Sequence, residues 1–498
     1  MSTLKYNVED KLPLGKAFLY ALQQVLAIVA ATIAVPAIVG NGMSPSAALF
    51  GAGAGTLVYL LITKFKSPVF LGSSFGYIGP MSAAFAGAVT VSAGYLGLII
   101  GGIMIGIVYI VMSIVIKKVG TKWINVVMPA VVIGPVVALI GLTLSKNAIV
   151  NLFQGGFYES ITQTGVFSSL NNLNIVSYET LSDGNFYVTH IVSTIATNKW
   201  IALSVGLVTL FTILICSTYG GKMLKALPFV IGILAGYLLA SIYTGIGWLT
   251  NTNWLKVIDF EVAKNIEWIP NFSFLTAFKA FKVFNNPGEF FSLLATVAVA
   301  YVPVAFVSMS EHIADHKNLS SIVERDLIRD PGLHKTLMGD GFGTMIGSFL
   351  GGCPNTTYGE SIGTIALSGN ASVQTIFLGA LICMAISFIG PFSAIFGTVP
   401  PCIIGGLCVC LYGFIGVSGF KLFKNIDFSK NSNIFTVSVI LVFGIGEFIL
   451  DFGQVKITQT ATALIAGILV NLLCNIKRKN KTTNTENAEI LPHEEKAS

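Results

Sequence analysis

Two carboxylates stand where a chain can least easily keep them. Glu311 follows the apolar run Tyr301–Ser310, and Glu360 follows Tyr358-Gly359 in a segment of small and hydroxyl residues. An acid inside an apolar segment is costly and by default marks a substrate or proton path. Such a group accepts N–H donors from a ligand and can load and release a proton. Asp315 lies one helical turn beyond Glu311 and on the same face. With His312 and His316 these residues spell Glu-His-Ile-Ala-Asp-His. Histidines at i and i+4 are spaced to share a metal, but a zinc-protease helix needs Glu directly after the first His, where Ile313 stands. No third ligand is evident, so no metal and no cofactor are expected, and protonation coupling or a solvated helix end accounts better for the pair. Glu447 and Asp451, at the outer end of an apolar segment, read as boundary charges.

The elements that carry these acids belong in a membrane. The chain has 498 residues, 54% hydrophobic and 10% charged, with a mean hydropathy of +0.78; soluble domains carry about 25% charged residues. Apolar stretches long enough to cross a ~30 Å hydrocarbon layer recur throughout. They fall near 17–40, 45–63, 68–88, 91–116, 124–144, 200–218 and 227–247, then near 287–315, 338–352, 355–368, 374–390, 395–413, 432–450 and 456–475. Met1–Lys16 is polar, without the apolar core of a signal peptide, so the first span is expected to be retained. With the N-terminus inside, most of the 29 Lys and Arg fall on the inner side, and the outer segments keep Lys146, Lys199, Lys256, Lys264, Lys279, Lys282 and Lys456. This bias predicts an even number of spans and cytoplasmic N- and C-termini. By hydropathy Glu311 then lies in the cytoplasmic half of its helix. The outer side carries two longer polar loops, roughly 145–199 and 248–286. The seven cysteines lie mostly in apolar segments without a C-x-x-C pair and read as small membrane hydrophobes.

Two segments recur in the same order. Gly72-Ser73-Ser74-Phe75-Gly76 parallels Asn355-Thr356-Thr357-Tyr358-Gly359, and Pro129–Gly134 parallels Pro400–Gly405. Seven spans per half is odd, so the second copy must be upside down, as in the inverted repeats of secondary transporters. The expected fold is an all-α polytopic membrane protein of about fourteen transmembrane segments in a 7+7 inverted repeat. Its parts are a cytoplasmic N-terminal segment 1–16, a first repeat of seven spans 17–247, an extracellular loop 248–286, a second, inverted repeat 287–475 and a disordered cytoplasmic tail 476–498. The third and tenth spans are short and rich in Gly, Ser, Thr and Asn. Backbone that leaves the helix inside a bilayer must be buried in protein or line a wet cavity. Half-helix N-termini there offer unpaired N–H groups and a partial positive charge to carbonyl oxygens or an anion. Phe75 and Tyr358, at matched positions, could sandwich a flat ring.

At these residues the chain resembles the nucleobase–ascorbate transporters, and most of all their bacterial uracil permease branch. The similarity runs over roughly 15–475 and rests on Gln23–Pro36, Leu71-Gly-Ser-Ser-Phe75, Val302-Pro-Val-Ala with Glu311-His312, Arg329-Asp-Pro-Gly-Leu-His334 and Pro354-Asn-Thr-Thr-Tyr-Gly-Glu360. The resemblance implies core and gate domains, short β-strands in segments 3 and 10, and symport with protons. It implies that Glu311 accepts the N–H groups of the base, while Glu360 and the amides of Gly359 and Phe75 meet its remaining polar edge. The chain departs from the family pattern at Ser361-Ile-Gly363, at Gln24 where a His is common, and at Asp315 where another His is common. Purine members commonly carry Gln where Glu360 stands, which favours a pyrimidine here.

The expected function is a proton-coupled symporter that imports uracil across the bacterial plasma membrane by alternating access, with no covalent chemistry. Phe75, Tyr358, Gly359, Glu311 and Glu360 are the expected substrate contacts, and Glu311, Glu360 and Asp315 the proton-coupling acids. The expected partners are the nucleobase, protons and the lipid bilayer, with no nucleic acid; a homodimer is compatible with this reading. A xanthine or urate symporter on the same fold is the alternative. An anion transporter would want cationic residues in the interrupted spans, which hold none, and a membrane enzyme would want a nucleophile–base pair, which does not emerge.

Overall fold

A computed structural model describes residues 4–120, 129–167, 175–180, 186–221, 224–225, 227–264, 266–282, 284, 287–451 and 456–475. The predicted tail 476–498 and the start of the predicted span 124–144 lie outside the described residues. Helices α1 (Leu14–Val39) and α2 (Pro45–Ile62) lead to a short strand, β1 (Leu71–Ser73), a 3-10 turn Phe75–Tyr77 and the half-length α3 (Ile78–Ala86). Next come α4 (Val91–Val119), α5 (Ala130–Leu152), α6 (Lys199–Tyr219) and α7 (Pro228–Leu249). The second half opens with the long α8 (Pro287–Val323) and α9 (Leu333–Gly351). Then, past the short strand Asn355–Thr357, lie α10 (Gly359–Ser368), α11 (Val373–Ile386) and α12 (Gly390–Gly397). The chain continues through α13 (Pro401–Lys421), α14 (Asn431–Ile445) and α15 (Gln459–Asn475).

Among the described residues, 8 helices are long and apolar enough to cross a membrane, or 9 if α11 and α12, bent by 84°, form one span; α14 and α15 are shorter apolar helices. The protein is therefore a mostly helical, multi-pass membrane protein. Local sequence sets the helix starts: Ser44 caps α2 by accepting the Ala47 N–H at 3.3 Å, with Pro45 at the first helical position. Thr90 caps α4 in the same way at 3.2 Å. Helix α8 runs on to Val323, past the predicted boundary at 315, because its last turns are amphipathic rather than apolar.

The class is not purely helical. Between α5 and α6, strands β2 (Tyr158–Phe167), β3 (Ile175–Thr180) and β4 (Phe186–Ile195) form an antiparallel sheet in the order β2-β4-β3. Their sequences are rich in β-branched and aromatic residue types, which favour strands. The strand Asn355–Thr357, β5, pairs antiparallel with β1, Leu71 opposite Thr357 and Ser73 opposite Asn355.

The helices pack in two groups. In one, α1, α2, α4, α8, α9 and α11 surround the β1–β5 crossing; in the other, α5, α6, α7, α13, α14 and α15 pack together. Small residues allow close approach within each group. A Cβ on Gly55 of α2 would meet the Gly343 carbonyl of α9 at 2.8 Å, and one on Gly141 of α5 would meet the Tyr412 carbonyl of α13 at 2.4 Å.

At the face where the chain begins, the N-terminal segment is tied down. Ala371 N–H donates to the Tyr6 carbonyl at 2.9 Å, and Leu12 N–H to Gln374 Oε1 at 2.7 Å. Arg325 joins Glu9 at 3.0 Å to Asp330 at 2.5 Å, and Asp330 also accepts from Lys66 Nζ at 2.9 Å. Hydrogen bonds from Lys66 and then Arg325 hold the Asp330 carboxyl below the usual carboxylate range. A depressed acid stabilises the fold above its ordinary value and loses that contribution as the pH falls through the folded one. The stability difference between the native protein and Asp330→Asn is therefore expected to be present at neutral pH and to vanish well below about pH 4. Thermal unfolding of both proteins across that range checks it. The group is exposed, so the effect is small.

Candidate functional site

The β1–β5 crossing solves a backbone problem in the middle of the helical bundle. Strand backbone there must find its partners inside the protein. Thr56 Oγ1 accepts the Leu71 N–H at 3.0 Å, and Thr344 Oγ1 donates to the Asn355 carbonyl at 2.7 Å. Asn355 Nδ2 donates to the Gly51 and Gly343 carbonyls at 3.0 and 3.2 Å. Tyr358 OH donates to the Ser73 carbonyl at 2.7 Å, and the Tyr358 ring lies so near Gly72 that a Cβ there would sit 2.5 Å from it. Past Ser73 the first strand leads into the 3-10 turn that opens with Phe75, and past Thr357 the second leads into α10, which opens with Gly359. The first N–H groups of α10, from Gly359 onward, have no acceptor within their own helix.

These ends open on a cavity of about 630 Å³. One wall is polar: Ser74, Phe75 and Gly76 from the first crossing segment, Thr356 to Glu360 from the second, and Ser308, Glu311 and Asp315 from α8. The other wall is apolar, with Ile133 and Val137 of α5, Phe229 of α7, and Leu411, Phe414 and Ile415 of α13. The structure therefore brings Phe75, Tyr358, Gly359, Glu311, Glu360 and Asp315 around one space. Glu311 is exposed within it and makes no side-chain hydrogen bond among the described residues. Asp315 Oδ2 accepts from Thr357 Oγ1 at 2.6 Å, which ties α8 to β5. Glu360 sits in the first turn of α10. A flat molecule with several N–H donors would meet carboxylates on one side and backbone amides at the strand ends, with apolar side chains across its face.

Phe75, Gly76 and Ile140 also line a second cavity of about 700 Å³, which holds Lys146, Asn147, Glu289 and Glu447. Chain direction places this second space toward the face opposite the N-terminal segment. The central cavity reaches the N-terminal face at Asn318, Ser418 and Lys421. The Phe75 ring, set edge-on to Tyr412 with centroids 6.0 Å apart, stands in the partition between them.

Behind Glu311, His312 and His316 belong to a buried polar chain whose other members, Asp340, Thr336, Tyr59 and Ser67, sequence reasoning did not single out. His312 Nδ1 lies 2.8 Å from Asp340 Oδ2, and its Nε2 lies 3.1 Å from Thr336 Oγ1. His316 stacks on His312 at 4.1 Å, and its Nε2 lies 2.7 Å from Tyr59 OH, which donates to Ser67 Oγ. Both imidazoles are thus engaged in the packing of α8 against α9 and α2, and among the described residues no group of three or more His, Cys, Asp or Glu is placed to hold a metal. Asp340 carries one readable signal, an acid flanked by glycines in Gly339-Asp340-Gly341. Gln24, on α1, donates to the Ser361 carbonyl at 3.4 Å, next to Glu360.

An interrupted pair of spans meeting at a polar cavity defines a membrane transport protein rather than an enzyme, and similarity to known proteins agrees. The sequence model of a permease family matches residues 15–176 and 187–451. The chain belongs to this family, the xanthine and uracil permeases or nucleobase–ascorbate transporters. It is 34% identical over 470 residues to a uracil permease of Bacillus caldolyticus, covering 94% of each chain. It is 33% identical over 475 residues to that of Bacillus subtilis, covering 95% of each, and 28% identical over 496 residues to that of Escherichia coli, covering 98% of this chain and 99% of that one. The fold is similar to the transmembrane domain of the cyanobacterial bicarbonate transporter BicA, with a TM-score of 0.57 at 13% identity over 94% of this chain and 100% of that one. It is also similar to murine Slc26a9, with a TM-score of 0.59 at 12% identity over 94% of this chain and 69% of that one.

Proposed function

We propose that this protein is a proton-coupled symporter that imports uracil across the bacterial cell membrane by alternating access, with both termini in the cytoplasm. The observation that carries the reading is the pairing of Glu311 and Glu360 with the strand-end amides of Phe75 and Gly359 around one cavity. Uracil presents two N–H donors and two carbonyl acceptors on a flat ring. Glu311 accepts N–H groups, Glu360 and the amides meet the remaining edge, and Phe75 borders the ring, while Tyr358, its ring packed on Gly72, holds the crossing beside it. The uracil permeases among its relatives support the substrate. Three acids against one lysine, Lys421, disfavour an anionic substrate, although the structural neighbours move bicarbonate or other anions.

The same reading holds that the chain is a fourteen-span 7+7 inverted repeat with core and gate domains. Its support is that packed helix pairs recur seven spans on: α4 with α9 matches α11 with α2, and α6 with α7 matches α14 with α15. Thr56 and Thr344 serve the two crossing strands from matching places. Alternating access follows if the core, which holds the acids, moves against the apolar gate wall and trades one cavity for the other across Phe75.

Radiolabelled uracil uptake in cells lacking their own permease tests the reading, with xanthine as competitor and with and without a protonophore. Uracil uptake that the protonophore abolishes and xanthine ignores is expected. Xanthine uptake without uracil uptake would overturn it in favour of a purine symporter, in which Gln24 and Ser361 have reshaped the floor beside Glu360.

A further inference from the structure

Glu360 faces two spaces. Besides the central cavity it lines a smaller one of about 120 Å³, bounded by Ala27 of α1, Gly363 and Thr364 of α10, and Leu227, Phe229 and Lys225 at the head of α7. Phe229 borders both spaces and stands between them. At about 30 Å³ of liquid volume per molecule the smaller space admits a few waters. It offers them polar partners in the Glu360 carboxyl, the Thr364 hydroxyl and Lys225. Thr364 Oγ1 donates to the Glu360 carbonyl at 2.9 Å, which sets that hydroxyl one turn beyond the acid. A Cβ on Gly363 would meet nothing within 4 Å, so the helix surface there borders open space.

The direction of this space follows from the chain. Helix α10 runs from Glu360 to Ser368, and the next carbonyl, Gly369, accepts the Lys5 and Tyr6 N–H groups of the N-terminal segment at 2.7 and 3.1 Å. Lys225 lies in the α6–α7 connection, at the same face. The central cavity reaches that face elsewhere, between α8 and α13 at Asn318, Ser418 and Lys421. Two routes therefore lead from Glu360 to one side of the membrane. One is the cavity of about 630 Å³, the other the side space of about 120 Å³. A base seated against Glu360 plugs the first and leaves the second open.

We propose that the proton carried by Glu360 leaves for the N-terminal face through this side cavity, past Thr364 and Lys225, separately from the substrate. The carboxyl O–H gives its proton to a water in the side cavity, the carboxylate remains, and the proton passes along the water chain to bulk solvent. The proposal rests on the proton-coupled reading above. It makes Gly363 and Thr364 positioning residues that act on the proton and not on the base.

The test uses the full chain in proteoliposomes, with an internal pH dye and radiolabelled uracil. Net uptake driven by a proton gradient, uracil-coupled proton flux, and uracil exchange at equal pH on both sides are measured together. Gly363→Leu fills the side cavity. It is expected to cut net uptake and proton flux by about tenfold or more, since loss of a proton-transfer group typically costs at least that much, while exchange stays within about twofold. Thr364→Val, which keeps the volume and removes the hydroxyl, is expected to cut net uptake and flux in the same way, with exchange again preserved. Wild-type net uptake in either folded variant, or loss of exchange in step with uptake in both, overturns the proposal. Uracil transport by the native protein without proton flux would instead sink the proton-coupled reading itself, which separates the two failures.

Discussion

Glu311→Gln is expected to abolish uptake while the protein stays folded. The side chain projects into the central cavity and makes no side-chain hydrogen bond to the rest of the described protein, so its exchange for an amide of the same shape removes no support from α8. Binding loses more. A hydrogen bond to a charged group contributes about 1.5–3 kcal/mol, and glutamine can turn an N–H donor toward the N–H groups of the base, leaving both unsatisfied. Together these effects correspond to roughly a hundredfold loss of affinity or more. Uptake of labelled uracil and thermal unfolding in detergent, measured on the same preparation, check both halves. A folded Glu311→Gln protein that transports at the native rate would sink the assignment of Glu311.

Gly419→Ala is expected to destabilise the protein, whereas Gly413→Ala on the same helix is expected to be neutral or stabilising. A Cβ on Gly419 would lie 2.2 Å from the Ala138 backbone nitrogen and 2.7 Å from the Gly134 carbonyl, so α5 and α13 would have to move apart. Overpacking of this kind costs about 1–3 kcal/mol, and more where backbone rather than a flexible side chain must yield. Around Gly413 a Cβ would meet nothing within 4 Å, and alanine improves helix propensity by up to about 1 kcal/mol. The unfolding temperatures of the two variants, one below and one at or above the native value, are the measurement. A Gly419→Ala protein as stable as the native one would show that the α5–α13 contact gives way easily.

The residues behind these two expectations differ in how legible they are in the sequence. Glu311 and Glu360 stand out because a carboxylate in an apolar run contrasts with its neighbours whatever the fold. Gly419 does not stand out, since a glycine in an apolar helix looks the same whether it faces lipid or another backbone. Asp340 escaped notice for a related reason: the predicted span 338–352 put it at a boundary, while α9 begins at Leu333 and buries it fully. The sheet formed by β2, β3 and β4 lay in a segment recognisable only as polar and rich in Asn, Ser and Thr, because a short alternating pattern does not say whether its partner strand is near.

By itself the sequence determined that this chain lives in a membrane, that the segments near 68–88 and 355–368 break the helix, and that an acid, Glu360, accompanies the second break. Each follows from the cost of moving a residue type out of water, which depends on composition and local order alone. Only the tertiary structure decided what those breaks are for. It laid β1 antiparallel to β5, so that Phe75 and Gly359, beyond opposite ends of the crossing and 284 positions apart in the chain, border one cavity. It turned the Tyr358 ring onto Gly72 and gave Glu360 a second cavity beside Thr364. Such pairings depend on which distant surfaces fit closely enough to satisfy backbone hydrogen bonds without water, and no window of the sequence contains both sides of that fit.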